Sequence, residues 1–240
     1  SAGVTAGLSM EHVALLSKES RKPSLTLPEG SIKDLPIGKI GKYDISRIMC
    51  GGNLISFFAH ARNLIYVSSL LKHYFTDDKV IETLKICEEH GINTAILRCD
   101  KRVISILNRY WKQEGGKMQW IAQSYPNIND LKSNIQMAID NGAIGAYMQG
   151  GVGDNFYNYQ MAINDGTFEA DKLGGIDKDY YKNGKVDLLG GVIDFIQKNG
   201  LIAGVGSHLL EVVKLSEETN VNPDFYVKTL NKVDYACLSP

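Results

Sequence analysis

Three stretches of the chain repeat one phrase: an amphipathic helix, a Gly stop and a short apolar strand. They read CEEHGINTAILRCD over Cys87–Asp100, AIDNGAIGAYMQGG over Ala138–Gly151 and IQKNGLIAGVGSH over Ile196–His208. A Gly just past a helix takes the left-handed position that lets the chain reverse. An apolar run without clean alternation suits a strand covered on both faces of a parallel sheet. Serial repetition of this unit predicts an α/β fold, with chemistry at the C-terminal ends of the strands.

Composition fits one large core. At 240 residues, 44% hydrophobic and 22% charged, the chain reads as a single α/β domain. A formal charge of −1 gives no field to hold nucleic acid or an anionic membrane. No apolar stretch reaches the roughly 18 residues of a membrane span. Oligomeric state is not set by the sequence. The cysteines Cys50, Cys87, Cys99 and Cys237 lack C-x-x-C spacing and read as buried free thiols.

The chain opens SAGVTAGLSM, which resembles the latter part of an export signal of the twin-arginine type and implies an exported or periplasmic protein. The other reading is a cloning scar or flexible arm on a cytoplasmic protein. Residues 1–34 are thus expected to be an arm and linker, and 35–240 the β/α domain.

Within that domain the pattern predicts strands over Asp44–Cys50, Thr94–Cys99, Met118–Ser124, Gly145–Met148, Leu201–Val205 and Phe225–Leu230. Helices are expected after Thr76 (an N-cap) and over Val103–Gln113, Asn129–Asn141, Val186–Lys198 and Leu210–Thr219. Leu54 to Phe75 reads as a long connection. Gly150 to Lys185, rich in Gly, Tyr, Asn and Asp, reads as an insertion or lid. Its aromatics, Phe156, Tyr157, Tyr159, Phe168, Tyr180 and Tyr181, suit either stacking on sugar rings or anchoring the insertion to its own domain. Six β/α units are visible where a closed barrel needs eight, so the expectation is a (β/α)8 TIM barrel, truncated or incomplete.

Residues 37–52, IGKIGKYDISRIMCGG, resemble the N-terminal hairpin and first strand of the aldo-keto reductase superfamily. Gly38, Lys39, Gly41, Ser46, Arg47 and Gly51 carry the likeness, with one extra residue between Gly41 and Ser46. TDDKVIETLKICEEHGINTAIL resembles that family's next helix and strand. The resemblance implies a TIM barrel reducing carbonyls with NADP. Its Asp, Tyr, Lys and His tetrad is not recognisable at the matching strand ends, so none of its catalytic residues is carried over and the cofactor stays unassigned.

The strand ends themselves supply a polar set: Asn53, Arg98, Asp100, Gln123, Tyr125, Gln149, Asp154, Ser207, His208 and Lys228. His208, Lys228 and Asp100 are the candidate catalytic groups, and the others are candidates for substrate binding. His208 follows the small-residue strand AGVGS, where a ligand can approach the backbone, and is a candidate base. DFYVKT resembles the strand-6 segment of deoxyribose-phosphate aldolases, with a one-residue offset, which implies a Schiff-base lysine at Lys228. Strand pairing is expected to bring His208 and Lys228 into one pocket. Gly150, Gly151 and Gly153 read as glycine-rich loop, and no metal site is predicted.

The functional expectation is an enzyme acting on a small carbonyl or sugar-like metabolite, oxidoreductase by scaffold resemblance. A Schiff-base lyase or sugar isomerase using Lys228 and His208 is one alternative. A non-catalytic carbohydrate-binding or scaffold barrel is the other.

Overall fold

A computed structural model of the protein describes residues 35–58, 66–174 and 176–229. The expected arm over residues 1–34 lies outside them. The described chain opens with an antiparallel hairpin, β1 (Ile37–Ile40) and β2 (Tyr43–Ser46). Gly41 turns it at a φ of +57°, a left-handed value that a Cβ disfavours. The main sheet begins only at β3 (Cys50–Gly51). Asp44–Cys50 is therefore not one strand. The Ser46 hydroxyl donates to the Ile48 carbonyl at 2.7 Å and bends the backbone away from the hairpin.

The chain continues through α1 (Val67–Tyr74), α2 (Asp77–Glu89), β4 (Thr94–Arg98), α3 (Lys101–Lys112), β5 (Gln119–Ser124) and α4 (Ser133–Asp140). Then come β6 (Gly145–Met148), α5 (Gly150–Asn164), a small antiparallel pair β7 (Tyr181–Lys182) and β8 (Lys185–Val186), and α6 (Leu188–Lys198). β9 (Ile202–Ser207), α7 (Leu210–Glu218) and β10 (Phe225–Lys228) complete it. Six strands form one parallel sheet in the order β10-β9-β6-β5-β4-β3, curled into a half-barrel.

The repeated phrase folds as its glycines dictate. Gly91, Gly142 and Gly200 follow α2, α4 and α6 at φ of +81°, +84° and +80°, where the helix must reverse into the next strand. Capping is equally local. Thr76 accepts from the Lys79 amide at 3.3 Å, and Asp100 from the Val103 amide at 2.9 Å.

Two further expectations need correction. The connection from Leu54 to Phe75 contains α1, with residues 59–65 outside the described set. The insertion expected from Gly150 is, over its first fifteen residues, the regular helix α5. The Gln149 side chain caps it, accepting from the Gly151 and Val152 amides at 2.8 and 3.3 Å. Gly153 is required there, because a Cβ would stand 2.0 Å from the Gly206 carbonyl of β9.

Side-chain parity then sorts the two faces of the sheet. The convex face packs Leu97, Trp120, Ala122, Met148 and Val205 under the helices in the main core. Trp120 is fully buried and donates from Nε1 to the Leu97 carbonyl at 3.1 Å. Each such large side chain contributes about 1.5–3 kcal/mol on burial. The concave face holds a smaller cluster, Ile121, Tyr147 and Ile202, covered by Ile40 and Tyr43 of the hairpin. Asn93 Nδ2 and Gln119 Nε2 both donate to the Asp44 carbonyl, at 2.9 and 2.8 Å. The hairpin thus closes the N-terminal end of the sheet and leaves the C-terminal end to the site. Among the described residues no helix is long and apolar enough to cross a membrane.

Candidate functional site

A cleft of about 820 Å³ opens at the C-terminal ends of the strands. Asn53, Gln123, Tyr125, Gln149 and His208 all line it. Phe58, Tyr147, Gly150, Val227 and Thr229 also form its wall.

The best-built feature is a carboxylate–imidazole pair. Asp154 sits in the second turn of α5, 2% exposed. Its Oδ2 accepts from His208 Nδ1 at 2.7 Å. Its Oδ1 accepts from the His208 amide at 3.0 Å, the Leu209 amide at 3.2 Å and the Ser207 hydroxyl at 2.6 Å. A buried carboxylate is stable only when hydrogen-bonded in this way. Ser207 in turn accepts from the Leu209 amide at 2.9 Å, tightening the turn that presents the ring. Gly150 provides the space for that ring, since a Cβ there would lie 2.8 Å from His208 Cε1. With Nδ1–H donated to Asp154, the tautomer is fixed and Nε2 carries the lone pair of the neutral ring.

Neutral polar groups surround the pair. Gln149 commits its carbonyl oxygen to the α5 cap. Tyr125 donates to Gln123 Oε1 at 3.1 Å, and Gln123 also hydrogen-bonds the Tyr147 hydroxyl. Burial pushes the Tyr147 hydroxyl well above the ordinary tyrosine range and raises that of Tyr125 too. Both phenols therefore remain protonated donors at neutral pH. The Arg98 guanidinium packs near the Tyr125 and Phe58 rings, 4.5 and 5.5 Å from their centroids, at the margin of the cleft rather than in its wall. Asn53 turns the loop, its carbonyl accepting from the Phe58 amide at 2.8 Å.

Two of the expected catalytic groups stand elsewhere. Asp100 is the N-cap of α3. Lys228 pairs with Ser207 across β9 and β10, which by parity sends its side chain to the convex side while Val227 and Thr229 line the cleft. Its ammonium donates to the His208 and Thr229 carbonyls at 2.8 and 2.6 Å. Lys228 and His208 are thus neighbours, joined through the backbone of the His208 turn rather than through a shared pocket. Of the aromatics in 150–185, Phe156 and Tyr180 are buried in the main core. Tyr147 and Phe58 are cleft residues that sequence reasoning passed over. The alternation of Tyr147 with Gln149 was the available signal for the first; nothing local marked the second. Among the described residues no group of three or more His, Cys, Asp or Glu is placed to hold a metal.

Comparison with protein-family models, with curated proteins and with solved structures found no match. The likeness of residues 37–52 to aldo-keto reductases is corrected accordingly. Its residues answer to scaffold geometry: Gly41 turns the hairpin, and Ser46 is bonded to Asn93, its amide donating to Asn93 Oδ1 at 2.9 Å. Lys39 makes an exposed 3.1 Å ion pair with Asp44. A chain that closes the end of a curled sheet needs a turn and a tether of this kind whatever its ancestry.

Proposed function

We propose that the chain is an enzyme acting on a small sugar-like or carbonyl compound by proton transfer, with His208 as the base. The observation that carries this reading is the Asp154–His208 pair, buried on the carboxylate side and lining the cleft on the imidazole side. Nε2 takes a proton from a carbon next to a carbonyl, or from a hydroxyl, and the imidazolium that forms is stabilised by Asp154. Gln149, whose oxygen is held by the helix cap, offers its amide NH2 to the oxygen on which negative charge develops. Tyr125 and Tyr147 supply hydroxyls and ring faces that suit a polyhydroxylated ligand. Lys228 enters as a brace of the His208 turn. The curled sheet, the closed N-terminal end and the C-terminal cleft support reading the half-barrel as six units of a (β/α)8 design.

The test is wash-in of solvent deuterium, followed by proton NMR on a panel of aldoses, ketoses and short hydroxycarbonyl compounds. Exchange at the carbon next to the carbonyl is expected for at least one class. His208→Ala should slow it by about a hundredfold or more. Equal exchange in the two proteins would end the proposal. Saturable binding without exchange would favour the carbohydrate-binding alternative.

A further inference from the structure

We infer that Arg98 is an anion-recognition residue, and that the cleft takes a polyhydroxylated or carbonyl compound carrying a carboxylate or phosphate at the end away from His208. The position of that end rests on the proton-transfer reading above; the anion site itself does not.

Arg98 is the last residue of β4, in register with Gln123 of β5, and parity points both inward. Its guanidinium stacks against two aromatic rings that line the cleft, while Arg98 itself stands at the cleft margin with its side chain 32% exposed. Among the described residues that guanidinium makes no hydrogen bond. Its ion-pair partner, Asp100, stands 3.7 Å from Nε, beyond hydrogen-bond range, and the other Asp100 oxygen caps α3. Arg102 shows what a structural arginine looks like in this fold. It donates to Asp77 at 3.1 Å, to the Ile55 carbonyl at 2.9 Å and to the Phe75 carbonyl at 2.7 Å.

The loop carrying Phe58 is itself built for this stacking. Phe57 holds a φ of +65°, unusual for a bulky residue, under the Arg102 guanidinium at 4.4 Å. That backward turn lays Phe58 over Arg98. A planar fork stacked on aromatic rings and without a hydrogen bond among the described residues matches the two oxygens of a carboxylate or phosphate. Apart from His208, the polar side chains that line the cleft are neutral amides, phenols and the Thr229 hydroxyl, so Arg98 at the margin is the cationic partner for the anionic end.

Spacing sets the size of the ligand. Three strand intervals separate β4 from β9 in the sheet order, about 14 Å along the sheet. The arginine side chain and the imidazole take up part of that span. What remains suits a monosaccharide-sized chain with its reacting carbon at one end and its charge at the other.

Three probes test this by calorimetry: glucuronate, glucose 6-phosphate and glucose. At least one of the charged probes should bind about tenfold or more tightly than glucose, and which of them does so separates carboxylate from phosphate. The advantage should vanish in Arg98→Met, persist in part in Arg98→Lys, and shrink as salt is raised. A thermal melt confirms that each variant is folded. Equal affinity for glucose, an advantage that survives Arg98→Met, or no binding by any probe up to about 10 mM, well above usual Michaelis constants, would overturn the inference. An anion advantage lost in Arg98→Met, with no deuterium exchange in any sugar, keeps the anion site and removes the proton-transfer reading. Exchange that depends on His208 without an anion advantage does the reverse.

Discussion

Asp154 and His208 lie 54 residues apart in sequence and meet at 2.7 Å, Oδ2 to Nδ1. The carboxylate comes from α5 and the imidazole from the turn after β9, the next strand of the main sheet along the chain. Two glycines make the meeting possible: Gly153 against the Gly206 carbonyl, and Gly150 against the imidazole. The pair is thus a product of close helix–strand packing as much as of two polar residues.

Replacing Asp154 by Asn should expose how much of the turn depends on charge. The carboxylate accepts from two backbone amides, one hydroxyl and the imidazole while almost wholly buried. An amide NH2 in its place faces a donor and leaves one group unsatisfied. Asp154→Asn is expected to lower stability by about 3 kcal/mol in urea unfolding. Ser207→Ala, which removes one of those partners, should cost about 1 kcal/mol. Equal losses would mean that the carboxylate is not the hub.

Lys228 offers a second test. Its ammonium is held by the His208 and Thr229 carbonyls. Borohydride treatment in the presence of small aldehydes and ketones should therefore leave no adduct on Lys228 by peptide mass spectrometry. Lys228→Met should cost about 1–2 kcal/mol, because two carbonyls lose their donor. A trapped adduct at Lys228 would show that the amine reaches the cleft.

The glycine-punctuated units were readable from sequence because each is encoded within a few residues: Gly91, Gly142 and Gly200 at the helix ends, Thr76 and Asp100 at the starts. What failed to show was long-range. GGVGDN reads as loop by propensity, since Gly disfavours helix, yet its glycines are there to let α5 touch β9. Ser46 splits the expected first strand through a bond to a carbonyl two residues on. Asp154 stood out only as a carboxylate beyond a strand, and the partner that gives it meaning is on another unit. Tyr147 inside GAYM passed as an ordinary core residue. Parity recovers it once the direction of the strand is known.

The thiols give a pH prediction. Cys87 hydrogen-bonds Cys50, which holds the Cys87 thiol down at about 7, while the same contact and burial push Cys50 up. Burial also pushes Cys99 up to about 12. Alkylation by iodoacetamide, resolved by peptide, should therefore rise with a midpoint near the value for Cys87, with Cys50 and Cys99 slow throughout. Cys50→Ala removes the hydrogen bond and should move the Cys87 midpoint upward. A Cys87 midpoint unchanged in that variant would show that the pair is not coupled.

Gly153→Ala sets two forces of opposite sign against each other. In a free helix the change gains about 0.8–1 kcal/mol of propensity. Here the new Cβ would lie 2.0 Å from the Gly206 carbonyl oxygen and 3.2 Å from its carbon, both backbone atoms of β9 that cannot rotate aside. The helix must lift, and overpacking of this kind costs about 1–3 kcal/mol. Net destabilisation is expected, and the lift should loosen the neighbouring Asp154 from His208, read as a change in the imidazole nitrogen shifts by NMR. Gly151→Ala is the control. Its Cβ would meet only the Gln149 side-chain oxygen at 3.2 Å, which can yield, so stability should stay close to wild type and the imidazole shifts should not move. If Gly153→Ala behaves like that control, the close approach of α5 to β9 does not set the Asp154–His208 geometry.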